Sequence, residues 1–503
     1  MRAAALFALC MAAACGRIGF GDGTSDAPIN GDIAIDTPAG FLGVTTPVKP
    51  GATGPNDVFG HAVALSADGT TLAVGAFGES SLSTGVGGDP LNNDANLAGA
   101  VYIYTSTQRG TWTPQAYLKA SNTDALDVFG FSLAISADGN TLLVGAPDED
   151  GGANTVDGDG SDDTKDSAGA AYVFARTGTT WAQQAYLKAG NSDAGDNFGE
   201  AVTISGDGNT IAIGAFSEDG VGGTLPDPNS NAVVDSGAVY TFERAGAVWA
   251  PLRYLKASNA ETLDQFGSEV ALSRDGMRLA ISAPGEASGA IGVGGDEASN
   301  SQTQAGAVYV FVKSGSAWLQ EAYIKASNTD GGDFFGSSLA ISDDGSVLAV
   351  ASEGEDGSAT GPGAAQIEGA GEAGAVYVFR RANVTWSQDQ YIKATNTGAD
   401  DRFGRSVALS SDGLTLLVGA ALEDSSETGL AGSGADNTAV DSGSAYLYRR
   451  TAGTWAALLY IKASTTTAGD QFGNAVTLSG DAAKIAIGAP GQGGGEGAIY
   501  VLE

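Results

Sequence analysis

Cysteine and histidine are almost absent from this 503-residue chain, which has two of the first and one of the second. Cys10 lies inside an apolar leader and Cys15 directly after it. No internal disulfide can therefore brace the folded part, and its stability must come from packing. A single histidine, His61, excludes Ser/His/Asp and Cys/His constellations and histidine-based metal sites. Positive charge is scarce as well, with 24 Lys+Arg against 59 Asp+Glu and a net charge of -35. So acidic a surface repels phosphate and anionic lipid, which removes nucleic acid from the expected partners. No segment approaches the ~20 apolar residues that span a bilayer. Only carboxylate, Lys or Tyr chemistry remains, and no carboxylate pair stands out from its repeat equivalents. A non-enzyme is expected, with a carboxylate-based carbohydrate-active enzyme as the alternative.

What the chain does have is glycine, 76 residues of it, about twice the usual ~7%. The glycines do not recur every third residue, so they mark turns in an all-β protein and not a collagen-like helix. Residues 1–14 read as a secretory signal: Arg2, an apolar stretch from Ala3 to Met11, then Ala12-Ala13-Ala14. Cys15-Gly16 after that run resembles the bacterial lipoprotein signal, whose cysteine is lipidated, although Ala12 stands where a large aliphatic is usual. Residues 15–42, rich in Gly, Asp, Pro, Ser and Thr, then read as a lipidated flexible tether. An exported outer-membrane or cell-surface lipoprotein is expected, touching the membrane through that anchor only, with a periplasm-facing or secreted protein as the alternative.

Fixed-period repetition is the strongest signal. Phe-Gly recurs at Phe59, Phe129, Phe198, Phe266, Phe335, Phe403 and Phe472, spaced by 68 to 70 residues. Each unit reads as four strands. Phe131 to Ser136 alternates with period two up to the Asp138-Gly139 turn, and Thr141 to Gly145 follows. A loop of about 20 residues precedes a Gly-Ala-Val-Tyr-like strand. The fourth strand runs from Trp112, Trp181, Trp249, Trp318, Trp386 or Trp455 into Tyr-Leu/Ile-Lys. Four short strands per unit and no helical periodicity predict a seven-bladed β-propeller over residues 43–503. The seventh unit has three strands and no Trp. Val48-Lys49 aligns with Leu118-Lys119, so the N-terminal segment is expected to complete the last blade and cover its open edge.

Phe129-Gly130 with Gly145-Ala146-Pro147, and Phe472-Gly473 with Gly488-Ala489-Pro490, resemble the FG-GAP repeats that build the propeller of integrin α subunits and many bacterial surface proteins. The resemblance implies a binding or adhesion module, a monomeric propeller whose partner is a protein or glycan on a surface. Integrin-type calcium sites use an Asp-rich loop between the first two strands. Here that loop is only Ser136-Ala137-Asp138-Gly139, so those sites do not carry over.

The repeated residues read first as structure. Each Phe wedges between blades and its Gly permits close approach, while each Trp caps its blade. Lys49, Lys119, Lys188, Lys256, Lys325, Lys393 and Lys462 lay their stems over apolar surface and offset nearby carboxylates. Asp57, Asp127, Asp196, Asp264, Asp333, Asp401 and Asp470 sit two residues before each Phe, as expected of Asx-type turns between blades. The long loops are acidic, above all the one holding Asp148, Glu149, Asp150, Asp157, Asp159, Asp162 and Asp163. They emerge on the face that also carries the inter-blade connections. Calcium bound by those seven residues is the cofactor expectation, and a calcium-stabilised structural surface protein is a further alternative.

The anchor predicts that Cys15→Ser converts a membrane-fraction protein into a soluble one. Recovery of the variant in the detergent fraction at the unmodified level would remove the lipid-anchor reading.

Overall fold

The computed structural model describes residues 47–51, 53–222, 228–430 and 432–503. The signal, Cys15 and the tether lie outside the described residues. Six antiparallel sheets of four strands and one of three follow one another along the chain. Their short inner strands touch in sequence and back to the first: Val63–Leu65, Leu133–Ile135, Val202–Ile204, Val270–Leu272, Phe335–Ile341, Ser406–Leu409 and Val476–Leu478. The result is the expected seven-bladed propeller around a central channel.

Local sequence explains each hairpin. The turn between inner and second strand is Ser-x-Asp in all seven blades. Ser136 Oγ donates to Asp138 Oδ1 (2.6 Å), which also accepts from Asn140 N (3.0 Å), and Ser136 Oγ accepts from Thr141 N (2.9 Å). Second strands such as Thr141–Ala146 are buried along their whole length because a neighbouring blade covers each face. Backbone bonds lock the turns to one another around the axis: Ala67 N to Ala137 O, Ala137 N to Gly206 O, Gly206 N to Arg274 O, Asp275 N to Asp343 O, Asp343 N to Ser411 O, Ser411 N to Gly480 O and Gly480 N to Ala67 O. This closed ring of 2.8–3.4 Å bonds ties the base of the channel.

The pairing of Phe-Gly with Gly-Ala-Pro has a steric cause. A Cβ on Gly75 of blade one would stand 2.1 Å from the carbonyl oxygen of Gly130 in blade two. One on Gly99 would stand 2.1 Å from the Phe129 carbonyl. In five of the seven joints Phe-Gly thus enters a notch that two glycines of the preceding blade leave open, Ser282 and Ala351 replacing the first of them in blades four and five, and Phe129 is fully buried there against Tyr172 and Phe174. The Trp caps are also as expected. Trp181 is 3% exposed, donates to Gln115 of the preceding blade (2.8 Å) and lies under Arg176.

The repeated lysines depart from the sequence reading. They do not snorkel over apolar surface. Lys119, Lys188, Lys256, Lys325, Lys393 and Lys462 are buried, each bonded at 2.7–2.9 Å to a buried glutamate: Glu79, Glu149, Glu218, Glu286, Glu355 or Glu423. In blades two to six the same carboxylate accepts from a tyrosine of the outer strand, as Tyr186 does to Glu149 (2.7 Å). In five blades it also accepts from an asparagine of the incoming connection, at 2.8–3.3 Å. Blade seven differs. Gln492 stands at the glutamate position and bonds Tyr500 and Thr465, while Lys49 meets Glu496 at 3.5 Å near the surface.

The seam closes as expected. Val48 and Ile499 exchange two backbone bonds of 2.8 and 3.1 Å, matching Val101 with Leu118 in blade one. Phe59-Gly60 enters the notch of Gly488 and Gly497. The rest of the expected fourth strand lies outside the described residues.

Removing one member of a buried ion pair strands the other, at a cost of about 3–5 kcal/mol. Glu286→Gln should show such a loss in urea unfolding, and Lys325→Met added to it should restore much of the stability. A loss below about 1 kcal/mol would show that Lys325 finds another partner or neutralises without penalty.

Candidate functional site

The loop face presents three groups of residues: the aspartates of the connections, the acidic loops and the residues at the channel mouth. The first is the aspartate two residues before each Phe. In all seven connections it accepts a bond from the backbone N–H three residues earlier, at 2.6–3.0 Å. These are local caps, as the turn reading expects. Burial raises the pKa of Asp127 to about 8 and of Asp196, Asp264, Asp333 and Asp401 to about 7, against the lowering effect of the backbone bond. Asp57 and Asp470 are raised for the same first cause.

The second kind is the acidic loop. Glu149 points inward to Lys188, Asn122, Tyr186 and Gly151 N, so its carboxylate is spent on the blade. Asp148 accepts from Asn197 (3.1 Å), Asp150 from Ser167 N (2.7 Å) and Asp157 from Tyr186 N (3.0 Å). Asp159 holds its own turn through Ser161, Asp162 lies half-buried with its carboxylate beside Gly152, and Asp163 is exposed. Among the described residues no three His, Cys, Asp or Glu side chains are gathered so as to hold a metal ion. The loops have structural work instead. Gly85 O accepts from Lys119 N (2.8 Å) and Gly87 N donates to Tyr117 O (2.9 Å), with equivalents at Gly292, Gly361 and Gly429. They run back along the outer strand and cover its open edge.

The third kind lies where the inner strands begin, at the mouth of the channel. The residue after Phe-Gly is His61, Phe131, Glu200, Ser268, Ser337, Arg405 and Asn474 in blades one to seven. His61, Phe77 and Phe131 form an aromatic corner, with His61 4.6 Å from Phe77, 5.0 Å from Phe131, and the two Phe rings 5.7 Å apart. Arg405, from blade six, lies 3.5 Å from Glu353 Oε2 and bonds Asn474 Oδ1 at 3.5 Å. Its charge is felt by His61 of blade one, Glu200 of blade three and Glu269 of blade four. Burial and then Arg405 hold the His61 pKa at about 3, so it stays neutral. Burial raises Glu200 to about 8, helped by Asp148 and Glu269 and opposed by Arg405. Glu269 is raised to about 7 by burial, opposed by Arg405 and helped by Glu353. Sequence reasoning passed over Phe77, Phe131, Glu200, Glu269 and Arg405. The available signal was the position after Phe-Gly, where each repeat differs while Phe-Gly itself does not.

With this geometry the chain is an all-β propeller of repeated blades, and the repeats define its class. The FG-GAP repeat model matches residues 112–174, 181–242, 249–311, 318–379, 386–448 and 455–502. The chain belongs to the FG-GAP repeat family. No curated protein matches it in sequence. Among solved structures it is similar to the β-propeller domain of Cps50 (Swd1) from Myceliophteria thermophila, at 10% identity and a TM-score of 0.50, covering 91% of this chain and 98% of that one. A putative 6-phosphogluconolactonase from Bacteroides uniformis is 12% identical, with a TM-score of 0.46 over 84% and 89% of the two chains. Kuenenia stuttgartiensis hydrazine synthase is also 12% identical, with a TM-score of 0.46 over 88% and 94%. At such identities the Cps50 likeness shows fold alone, and the other two carry no argument.

The raised aspartates fix a direction of pH dependence. A carboxyl whose folded pKa lies above its unfolded value of about 3.9 binds more protons folded than unfolded between the two. Its contribution is therefore most favourable at low pH and is lost as pH rises to the folded value. Relief of self-repulsion in a chain of net charge -35 acts in the same sense. The melting temperature should fall as pH rises from about 5 to about 8. A melting temperature that rises over that interval would show the aspartates ionised in the fold.

Proposed function

We propose that this chain is an exported, lipid-tethered binding module that holds its ligand over the loop-face mouth of the channel and does no chemistry on it. An FG-GAP propeller is consistent with a binding module. The observation that carries the placement is the break in symmetry: seven connections keep one capped aspartate, whereas the residue after Phe-Gly changes from blade to blade. A ring needs only its joints repeated, so variation on the rim of a rigid scaffold is the pattern of recognition. The Ser-x-Asp turns of the base vary only at their middle residue, and their backbones are tied to one another. Adhesion to a surface is the role this reading assigns to a tethered disc.

Binding of the purified protein to intact cells or envelopes tests this reading. Phe131→Ala with Arg405→Ala should reduce retention at least about tenfold, the loss of roughly 1.4 kcal/mol. Asp159→Asn with Asp163→Asn on the outer loop, and Asp138→Asn at the base, should leave retention unchanged. Loss in the loop variant alone would place binding on the acidic loops instead.

A further inference from the structure

On the base side, blade one lacks a side chain that its neighbours have. In blades two to six the third strand carries a cation whose backbone N–H bonds the residue just ahead of the second strand: Arg176, Arg244, Lys313, Arg381 and Arg450. Ser106 stands there in blade one and makes the same backbone bond, to Thr70 O (2.9 Å). Arg176, Arg244 and Lys313 lie over the Trp of their own blade at 5.2–5.8 Å. Over Trp112 the cation comes from across the seam instead, as Lys484 of blade seven (5.2 Å). With no long side chain at position 106, Ser106 lines a cavity of 980 Å³ where blades seven, one and two meet.

Four charged residues line that cavity, Arg109, Arg176, Lys484 and Glu503. The carboxylate is buried and already taken, by Lys484 (3.4 Å) and Gly110 N (2.7 Å), while Arg109 donates to the Glu503 backbone oxygen. Arg176 gives Nε to Asn140 (2.9 Å) and Nη1 to Thr71 and Gln115 (3.1 and 3.3 Å). Its Nη2 has no partner among the described residues, and it forms no ion pair there. Its counterparts show what this position takes when a carboxylate is within reach. Arg381 and Arg450 each give two N–H groups to an acid of the preceding outer strand, Glu321 or Asp389, at 2.5–3.0 Å. Those acids also accept from the Trp of the next blade, as Gln115 does from Trp181, so Gln115 is the neutral residue at the same place. Asp68 and Asp138 act on Arg176 from outside the lining. Their oxygens are held by Ser66 and Thr70, and by Ser136 and Asn140.

Donors therefore exceed acceptors in this cavity. A ligand that brings acceptors is favoured, and an oxyanion most of all, because its bonds to guanidinium are charge-assisted. The net charge of -35 disfavours a long polyanion but not a small one that is enclosed. The uncharged lining is Thr70, Thr105, Thr107, Gln108 and Thr179 among others, groups that donate as well as accept and so match vicinal hydroxyls.

We propose that this cavity binds a sugar acid, with its carboxylate on Arg176 and its hydroxyls on the surrounding threonines and Gln108. The site is separate from the channel mouth and stands whether or not the mouth binds a partner.

The test is calorimetry on the whole chain carrying Cys15→Ser, at low ionic strength, with sodium glucuronate, glucose and sodium sulfate as probes. For glucuronate a Kd between about 0.1 and 10 mM is expected, with glucose and sulfate at least about tenfold weaker. Ser106→Arg supplies the side chain that other blades carry and should abolish glucuronate binding in a disc that still folds. Arg176→Gln should weaken binding at least about tenfold, and it keeps the test open if the larger residue at position 106 disturbs the fold. No binding of glucuronate, or binding that survives either variant in folded form, would overturn the proposal. Glucose bound as tightly would remove the carboxylate from the recognition, and sulfate bound as tightly would remove the sugar; each result overturns it.

Discussion

Every blade meets the next where a carbonyl oxygen occupies the space a Cβ would need. Gly75 faces the Gly130 oxygen, Gly419 that of Gly473, and Gly488 at the chain end that of Gly60 near its start. A methyl group at any of these places would force neighbouring sheets apart, and in a closed ring one widened joint must be absorbed by the others. The two halves of the FG-GAP motif are therefore one contact seen from two blades. Where the motif degrades, the contact loosens in step. Ser282 replaces the first glycine in blade four, and Gly336 then lies against its Cβ.

The close approach also sets the electrostatics. Sheets packed this tightly leave no water for the residues that reach between them, so a lysine at the end of each outer strand arrives in a dry place. It is stable only with its charge matched and its carboxylate partner fully bonded. The glutamate, tyrosine and asparagine supply that. The long loop carries the glutamate in and then returns along the outer strand, so one segment closes both the charge and the edge. Little is left for the loops to do as free arms, and variation is pushed to the channel rim, where side chains have no joint to serve.

Much of this was legible in the sequence. Seven Phe-Gly dipeptides in register identified the blades, and the alignment of Val48-Lys49 with Leu118-Lys119 located the seam. The lysines were seen but misread, because a surface role is the usual one for Lys and their partners lie about 40 residues away in loops of unequal sequence. Glu149 looked like a metal ligand because its neighbours Asp148 and Asp150 are acidic, although only Glu149 recurs 20 residues after each Phe until Gln492. The residue before each Phe-Gly gave no sign of its backbone. Val58, Val128 and Phe334 hold φ of 51–53°, a conformation costly for such side chains. Nothing local requires it; the preceding connection must turn sharply to drop Phe into its notch, a demand that exists only once the neighbouring blade is in place.

Gln492 shows what the non-covalent seam requires. In six blades the lysine and its glutamate belong to strands joined by a hairpin and a loop, so the pair forms as the blade forms. In blade seven the lysine position, Lys49, lies at the other end of the chain and is synthesised first. A glutamate at position 492 would be buried without a counter-charge whenever the N-terminal strand was away, a state expensive enough to hold the last blade open. The neutral amide bonds Tyr500 and Thr465 whether or not that strand is present. The Lys49 charge is met instead at the surface, by Glu496, where solvent carries part of the load during closure. The joint that must form between chain ends thus lacks the buried Lys–Glu pair of the other six blades, and the carboxylate it does bury, Glu503, is met by Lys484 of its own blade (3.4 Å) before it accepts from Gly110 N (2.7 Å) across the seam.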